Sequence, residues 1–487
     1  MSIFQTPDEN DGTTMRTLQA IPDGGRYLLA PDVLLTVDGP VRDKGIAVDR
    51  GEIVAVAGPD ELRRAHPDWQ FIPLPGRAII PGFIDTHIHL GQGFGKAITY
   101  GEPSQIWQRI WIPLEKMLNP ELCYISAKWM FLEALRGGYT TIADFAIVNP
   151  EKSAAIHRAA MDVGMRLVSS TGSVDRADYP NVTGVTPKFE PIEAAIRRAE
   201  DFLALCKGKS LITPSICVSG VQAASPELMR ASYEFCEKNG LVFQIHSNEH
   251  HPEVHACVVL HGKRPIEHIH DSGALGPITL VHHAAIVSAT EVGLLQSSGA
   301  AVSYNPVASQ WKVDAVAPAL EFIDRGIRIG LGTDSTRSDA FRMLDAAENS
   351  QRVTAGMRVM DFSCGAGWSW VDAATRGGAD ACGLGKVTGQ LAPGFRADFL
   401  VLDTTAPEVQ PSWDFEWELV RVYNRDLIDT VVIDGKPVMA GGRALGWDQD
   451  EFLRDALPRA IAMVKSSDLV RRHGTSAEHR ARKRPAR

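Results

Sequence analysis

From about residue 78 to residue 335, short runs rich in Val, Ile, Leu and Thr alternate with stretches of helical periodicity. Eight runs read as strands: AIIPGFIDTHIH, TTIADFAI, MRLVSST, LITPSICV, VFQIHSN, ITLVHHAAI, AAVSYNP and IRIGLGTDS. Between most of them lie segments such as ELCYISAKWMFLEALRGG and SPELMRASYEFCEKNG, with apolar residues at i, i+3 and i+4 and a closing glycine. Eight strand–helix units predict an α/β chain whose parallel strands close into a (β/α)₈, TIM-like barrel over residues 78–385. A doubly wound dinucleotide fold is the competitor, but no G-x-G-x-x-G follows any of the runs.

The flanks have another grammar. Residues 26–77 and 386–447 hold short strands broken by Gly, Asp-Gly and Pro, without helical spacing. They predict one small β-sandwich domain built from both chain ends beside the barrel. Residues 448–487 read as a C-terminal helix followed by a basic tail. From Lys465 onward that tail carries eight Lys/Arg against two acidic residues, the composition of a disordered, solvated end.

Composition narrows the function classes. A net charge of −9 gives no reason to expect nucleic acid. No window approaches the roughly 18 uninterrupted apolar residues of a membrane span. The N-terminus MSIFQTPDENDGTTMRTLQ is polar and acidic, without the pattern of an export leader. Seven scattered cysteines, with no C-x-x-C pair, argue against a disulfide framework or a thiolate zinc site and for a cytoplasmic location.

In a strand, residues i and i+2 share a face, so His87 and His89 in IDTHIHL aim at one spot. Barrel enzymes keep their reactive groups at the C-terminal ends of the strands. Those ends carry His87 and His89 on the first strand, His246 on the fifth, His282 on the sixth and Asp334 on the eighth. Taken singly, each histidine reads equally well as a hydrogen-bonded interior residue; five such groups at one barrel mouth point to a site. Neutral imidazoles with a carboxylate suit one divalent ion, Zn²⁺ by default, with Fe²⁺, Co²⁺ or Mn²⁺ accepted by the same ligands. Glu249, three residues past His246, stands where a carboxylate can move protons between water and a leaving group. No lysine ends the fourth strand to bridge a second ion. By alternation His283 faces away from His282, and His250, His251, His255, His261, His268 and His270 fall on helix or loop, where solvation is expected.

Taken together, HIHLGQ, GYTTIADF, QIHSNE, GKRPIEHIHDSGALGP, LVHHAAI, SYNPVAS, LGTDS and GQLAPGFRADFLVLD resemble the amidohydrolase superfamily in kind and order. The likeness is to its mononuclear-metal branch, which includes guanine and cytosine deaminases and s-triazine hydrolases. The resemblance implies that His87, His89, His246 and Asp334 hold the metal, that His282 orients or deprotonates the water, and that Glu249 protonates the departing nitrogen. It also points to Gln92, in HxHxxQ, and to Asn305, in SYNP, as substrate contacts. Trp107 and Trp111, in the segment after the first strand, are candidates for an apolar lid. Arg337, beyond the eighth strand, is placed to hold a carbonyl or carboxylate.

The implied function is hydrolysis of a C–N bond in a small molecule, as deamination or dealkylamination of an N-heterocycle. Cleavage of an acyclic amide, urea or carbamate uses the same apparatus, and a non-catalytic scaffold on the same fold is the third reading. The resemblance further implies a homo-oligomer.

Overall fold

The computed structural model describes residues 21–102, 106–146, 149–175 and 191–483. The polar N-terminus and the last four residues of the basic tail lie outside that range.

Eight parallel strands follow in chain order: β1 (Phe83–Ile88), β2 (Tyr139–Asp144), β3 (Arg166–Ser173), β4 (Ile212–Val218), β5 (Val242–Ser247), β6 (Thr279–His283), β7 (Ala301–Tyr304) and β8 (Arg328–Leu331). β1, β2 and β3 are buried at every residue, as strands covered on both faces must be. The helices between them start and stop where the sequence says. Asn119, Asn149 and Ser225 cap helices with Pro at the first position, and Gly164 and Gly240 end two of them at φ 75° and 67°.

The barrel closes where β8 returns to β1. The buried Asp85 carboxylate accepts from Thr333 N (2.9 Å) and Thr333 Oγ1 (2.6 Å), and Asp334 N donates to the His87 carbonyl (2.8 Å). The seam between the two strands is therefore tied at the residues that carry His87 and Asp334.

The flanks meet in a second sheet of nine strands, eight in one hydrogen-bonded order and the ninth, Gly39–Val41, paired beside Arg26–Thr36 off that path. Its strand Gln70–Pro81 pairs in parallel with Arg26–Thr36 and antiparallel with Phe399–Asp403, which joins the two chain ends. The strand runs through Pro81, four residues past the expected boundary at 77, and β1 begins after Gly82. A side chain at Gly82 would collide with Thr140, so the junction requires glycine. Arg166 of β3 and Asp398 lock the sheet to the barrel by a buried two-point ion pair (2.7 and 3.0 Å).

The tail departs from expectation. Helix Gln449–Ser466 is followed by a segment that docks on the residues after β1: Val470 N donates to Arg109 O (2.9 Å), and Arg472 N and His473 N donate to the Glu102 carboxylate (2.9 and 3.1 Å). Its backbone donors found a buried acceptor, and composition carries no sign of that.

Candidate metal centre

The imidazoles of His87, His89 and His246 converge at the mouth of the barrel, their ligand atoms all within 4.8 Å of one another. Asp334 adjoins the group, with Oδ1 3.5 Å from Nε2 of both His87 and His89. Two of the rings are oriented from behind. His89 Nδ1 lies 2.8 Å from the Phe145 carbonyl and His246 Nδ1 3.0 Å from that of Ser219. A carbonyl only accepts, so the proton sits on Nδ1 and the Nε2 lone pair faces the centre. His246 Nε2 and His87 Nε2 are 3.2 Å apart. Burial pushes His87 down to about 3 and His246 well below its usual range, so both rings are neutral. Two imidazoles that face each other without a charge, His87 buried and His246 half-buried, beside a carboxylate, form a donor set that fits a divalent cation.

The sixth strand ends differently from its alternation. His283 has φ +74°, in the left-handed region, and Ala284 follows at +45°. This turn brings the His283 ring into the mouth, with Nε2 3.5 Å from Glu249 Oε2. His87, His283 and Asp334 form a second convergent triad. His282 lies beneath the centre instead, stacked on His87 at 3.9 Å with Nε2 3.1 Å from Gln244 Oε1. Expecting His283 to face away was therefore wrong, because the strand ends in a positive-φ turn.

Glu249 is held at the rim by its own backbone. Its amide donates to Glu253 (2.9 Å), while Asn248, at φ +57°, is held by Ile286 O and the buried Glu291. Burial works against ionisation of Glu249, but His250, His283 and Lys312 outweigh it and hold the carboxyl well below its usual range.

Lys312 had no signal in the sequence. Its ammonium contacts Glu249 and lies 2.6 Å from Asp334 Oδ2, although it comes from the helix after β7. His250 was expected to be solvated and is instead wedged between Asp314 Oδ2 (2.7 Å) and Glu249 Oε1 (3.1 Å). His268, another of that group, is buried and stacked on His261.

A family model of the amidohydrolase family matches residues 78–438. The chain belongs to the amidohydrolase family. Curated relatives include a 5-methylthioadenosine/S-adenosylhomocysteine deaminase of Nitratidesulfovibrio vulgaris, 28% identical over 86% of this chain and 92% of that one. A 5'-deoxyadenosine deaminase of Methanothermobacter thermautotrophicus is 28% identical over 81% and 88%. Among solved structures, a zinc-bound adenosine deaminase of Xanthomonas campestris superposes with TM-score 0.80 at 20% identity, covering 91% of this chain and all of that one. The zinc-complexed atrazine chlorohydrolase of Arthrobacter aurescens gives 0.80 at 21%, with 90% and 100% covered. These two likenesses establish the shared fold.

Within this amidohydrolase, the expected substrate contacts divide. Asn305 is buried; its side chain accepts from Ser303 Oγ (2.8 Å) and donates to His283 Nδ1 (3.2 Å). Gln92 is buried and donates to Glu115 (2.9 Å). Trp107 is 42% exposed, at the start of a short π-helical turn, whereas Trp111, one turn on, is buried and lines a small cavity of about 20 Å³ with Lys312, Asp334 and Trp311. Arg337 stacks over Trp311 at 5.5 Å and lines a larger chamber of about 830 Å³. Trp311 and Thr336 border both spaces, so the chamber leads toward Asp334. Asp339, beside Arg337, accepts from Arg342 N as a helix cap.

Proposed function

We propose that this amidohydrolase removes an amino or alkylamino group from an N-heterocycle, with one divalent ion, Zn²⁺ by default, held by His87, His89, His246 and Asp334. The observation that carries this reading is the meeting of Glu249, His283 and Asp334 around that ligand set. Such an ion supplies Lewis acidity and lowers the pKa of water from 15.7 to about 7.

The chain's own residues do the rest. Asp334, kept ionised against its burial by Lys312 and His87, accepts a proton from the attacking water. His283, which receives the Asn305 hydrogen bond on Nδ1, presents Nε2–H to the oxygen that adds to the ring carbon. Glu249, ionised at rest, takes up the proton that Asp334 removed from the water and hands it to the departing nitrogen. Water plus the aminated heterocycle thus yields the hydroxy (keto) heterocycle plus ammonia or an amine. In this reading His283 takes the water-orienting role that the resemblance had implied for His282, and Asn305 acts through it. Arg337 and Trp311 line the approach and contact the part of the substrate away from the reacting carbon.

The relatives named as deaminases of adenosine derivatives favour ring deamination over cleavage of an acyclic amide. No described helix is long and apolar enough to cross a membrane. Free, buried cysteines support the cytoplasmic reading, and light scattering would test the homo-oligomer that the resemblance implied. The test of function is ammonia release from 5'-methylthioadenosine, 5'-deoxyadenosine, S-adenosylhomocysteine and amino-s-triazines. Deamination with the ring retained supports the reading; activity confined to aryl amides or ureas overturns it.

A further inference from the structure

The small cavity beside Asp334 is walled on one side by Thr99, Glu102, Ile106 and Trp111. These residues follow β1 but are not part of the barrel, so something else must hold them. Thr99 belongs to a short 3₁₀ turn, and Ile106 and Trp111 to one described helical turn.

Ile106 and Trp111 pack into the main apolar core, and Glu102 is held by the other end of the chain. The Glu102 side chain has no exposed surface, 0%, and its two oxygens collect donors from both sides. Arg109 Nη1 donates to Oε2 at 2.9 Å, Arg472 N to Oε2 at 2.9 Å and His473 N to Oε1 at 3.1 Å, with Arg471 Nε 3.4 Å from Oε1. Arg109 answers across the same seam: its carbonyl accepts from Val470 N (2.9 Å) and its guanidinium donates to Val470 O (2.9 Å). Gly101, at φ +77°, lies under the His473 ring, where a Cβ would come within 2.8 Å of it. Leu469 packs on the main core just before the crossing.

We propose that residues 469–473 are a strap that completes the substrate cavity and that Glu102 is a positioning residue for its wall. This rests on the reading of the larger chamber, and of the small cavity beside Asp334 that it leads into, as the substrate site. A buried carboxylate with four donors is over-determined, and three of those donors come from a segment that also bonds Arg109 and covers Gly101 at the edge of the larger chamber. None of the wall residues is assigned a proton transfer, so their displacement removes binding felt about equally by ground and transition states. KM should then rise while kcat holds.

The test compares the full chain with a truncation after Ser467 and with Glu102→Gln, each checked for metal content. Two readouts are followed: KM and kcat for 5'-methylthioadenosine, and hydrogen exchange of peptides covering 106–114. The expected result is faster exchange at 106–114 but not in β5 or β6, KM raised about tenfold or more, and kcat within about twofold. Unchanged KM and exchange in both variants overturn the proposal, as does a fall in kcat with KM constant. If the truncated chain fails to fold, Glu102→Gln decides alone. A wild type without turnover on any probe defeats the functional reading, whereas the exchange experiment still decides whether the strap holds the wall.

Discussion

Asn305 Nδ2 lies 3.2 Å from His283 Nδ1, and this one hydrogen bond determines which nitrogen of the imidazole faces Glu249. Asn305 is held the right way round because its Oδ1 accepts from Ser303 Oγ at 2.8 Å. Asn305→Ala frees the ring to take the other tautomer. Its kcat should fall about 10- to 100-fold, the usual cost of losing such an orienting partner, with metal content unchanged. Loss of metal in this variant would contradict the assignment.

The two adjacent histidines separate by kinetics. His283→Asn should lower kcat by about 10²- to 10⁴-fold while the ion stays bound. His282→Asn, which disturbs the stacking beneath His87, should weaken metal binding but leave the reloaded enzyme within about tenfold of wild type. The opposite order of kcat values after zinc reconstitution would return the water-orienting role to His282.

Metal content follows the ligand set. Wild type should purify with about one divalent ion per chain, and His89→Ala and Asp334→Ala should lose it together with activity. Chelation should abolish activity and added Zn²⁺ should restore it. Variants that keep a full complement of metal without activity would show that the ion is held elsewhere.

His250 gives a pH signature. Burial opposes its charge, but Glu249 and Asp314 outweigh that and raise its pKa from 6.5 to about 10. The stability from a raised pKa is complete below the unfolded value near 6.5 and is lost as pH rises through about 10. His250→Gln should therefore melt below wild type at pH 6, with the two curves converging toward pH 10. A gap that stays constant over that range would contradict the ion pairs drawn for this ring.

Between barrel and second sheet, Asp398→Ala would leave Arg166 buried beside Asp434 alone, 3.6 Å away. Removing one partner of a buried pair costs about 3–5 kcal/mol, and Asp434 should hold the loss near the lower figure. Denaturant unfolding measures it; a change under about 1 kcal/mol would mean that the two units are held together by other contacts.

Much of this arrangement was legible residue by residue. The eight strands, their glycine stops and the caps at Asn119, Asn149 and Ser225 all declare themselves locally, because hydrogen-bond geometry and side-chain alternation act over a few residues. His87, His89, His246 and Asp334 were legible for the same reason, as each stands at a strand end. Trp107 was a harder case: periodicity puts it near Trp111, but only packing decides which indole goes inward.

Strand alternation, turn chemistry and burial-compatible composition thus settled the barrel and the second sheet drawn from both ends, and placed His87, His89, His246 and Asp334 at the mouth. Three things waited for the folded chain. His283 joins the site through a positive φ that alternation does not contain. Lys312 meets Glu249 across 63 positions, and Glu102 meets His473 across 371. Such contacts leave no periodic trace, because they are selected by which buried charge finds an opposite charge or an open amide once the elements have packed.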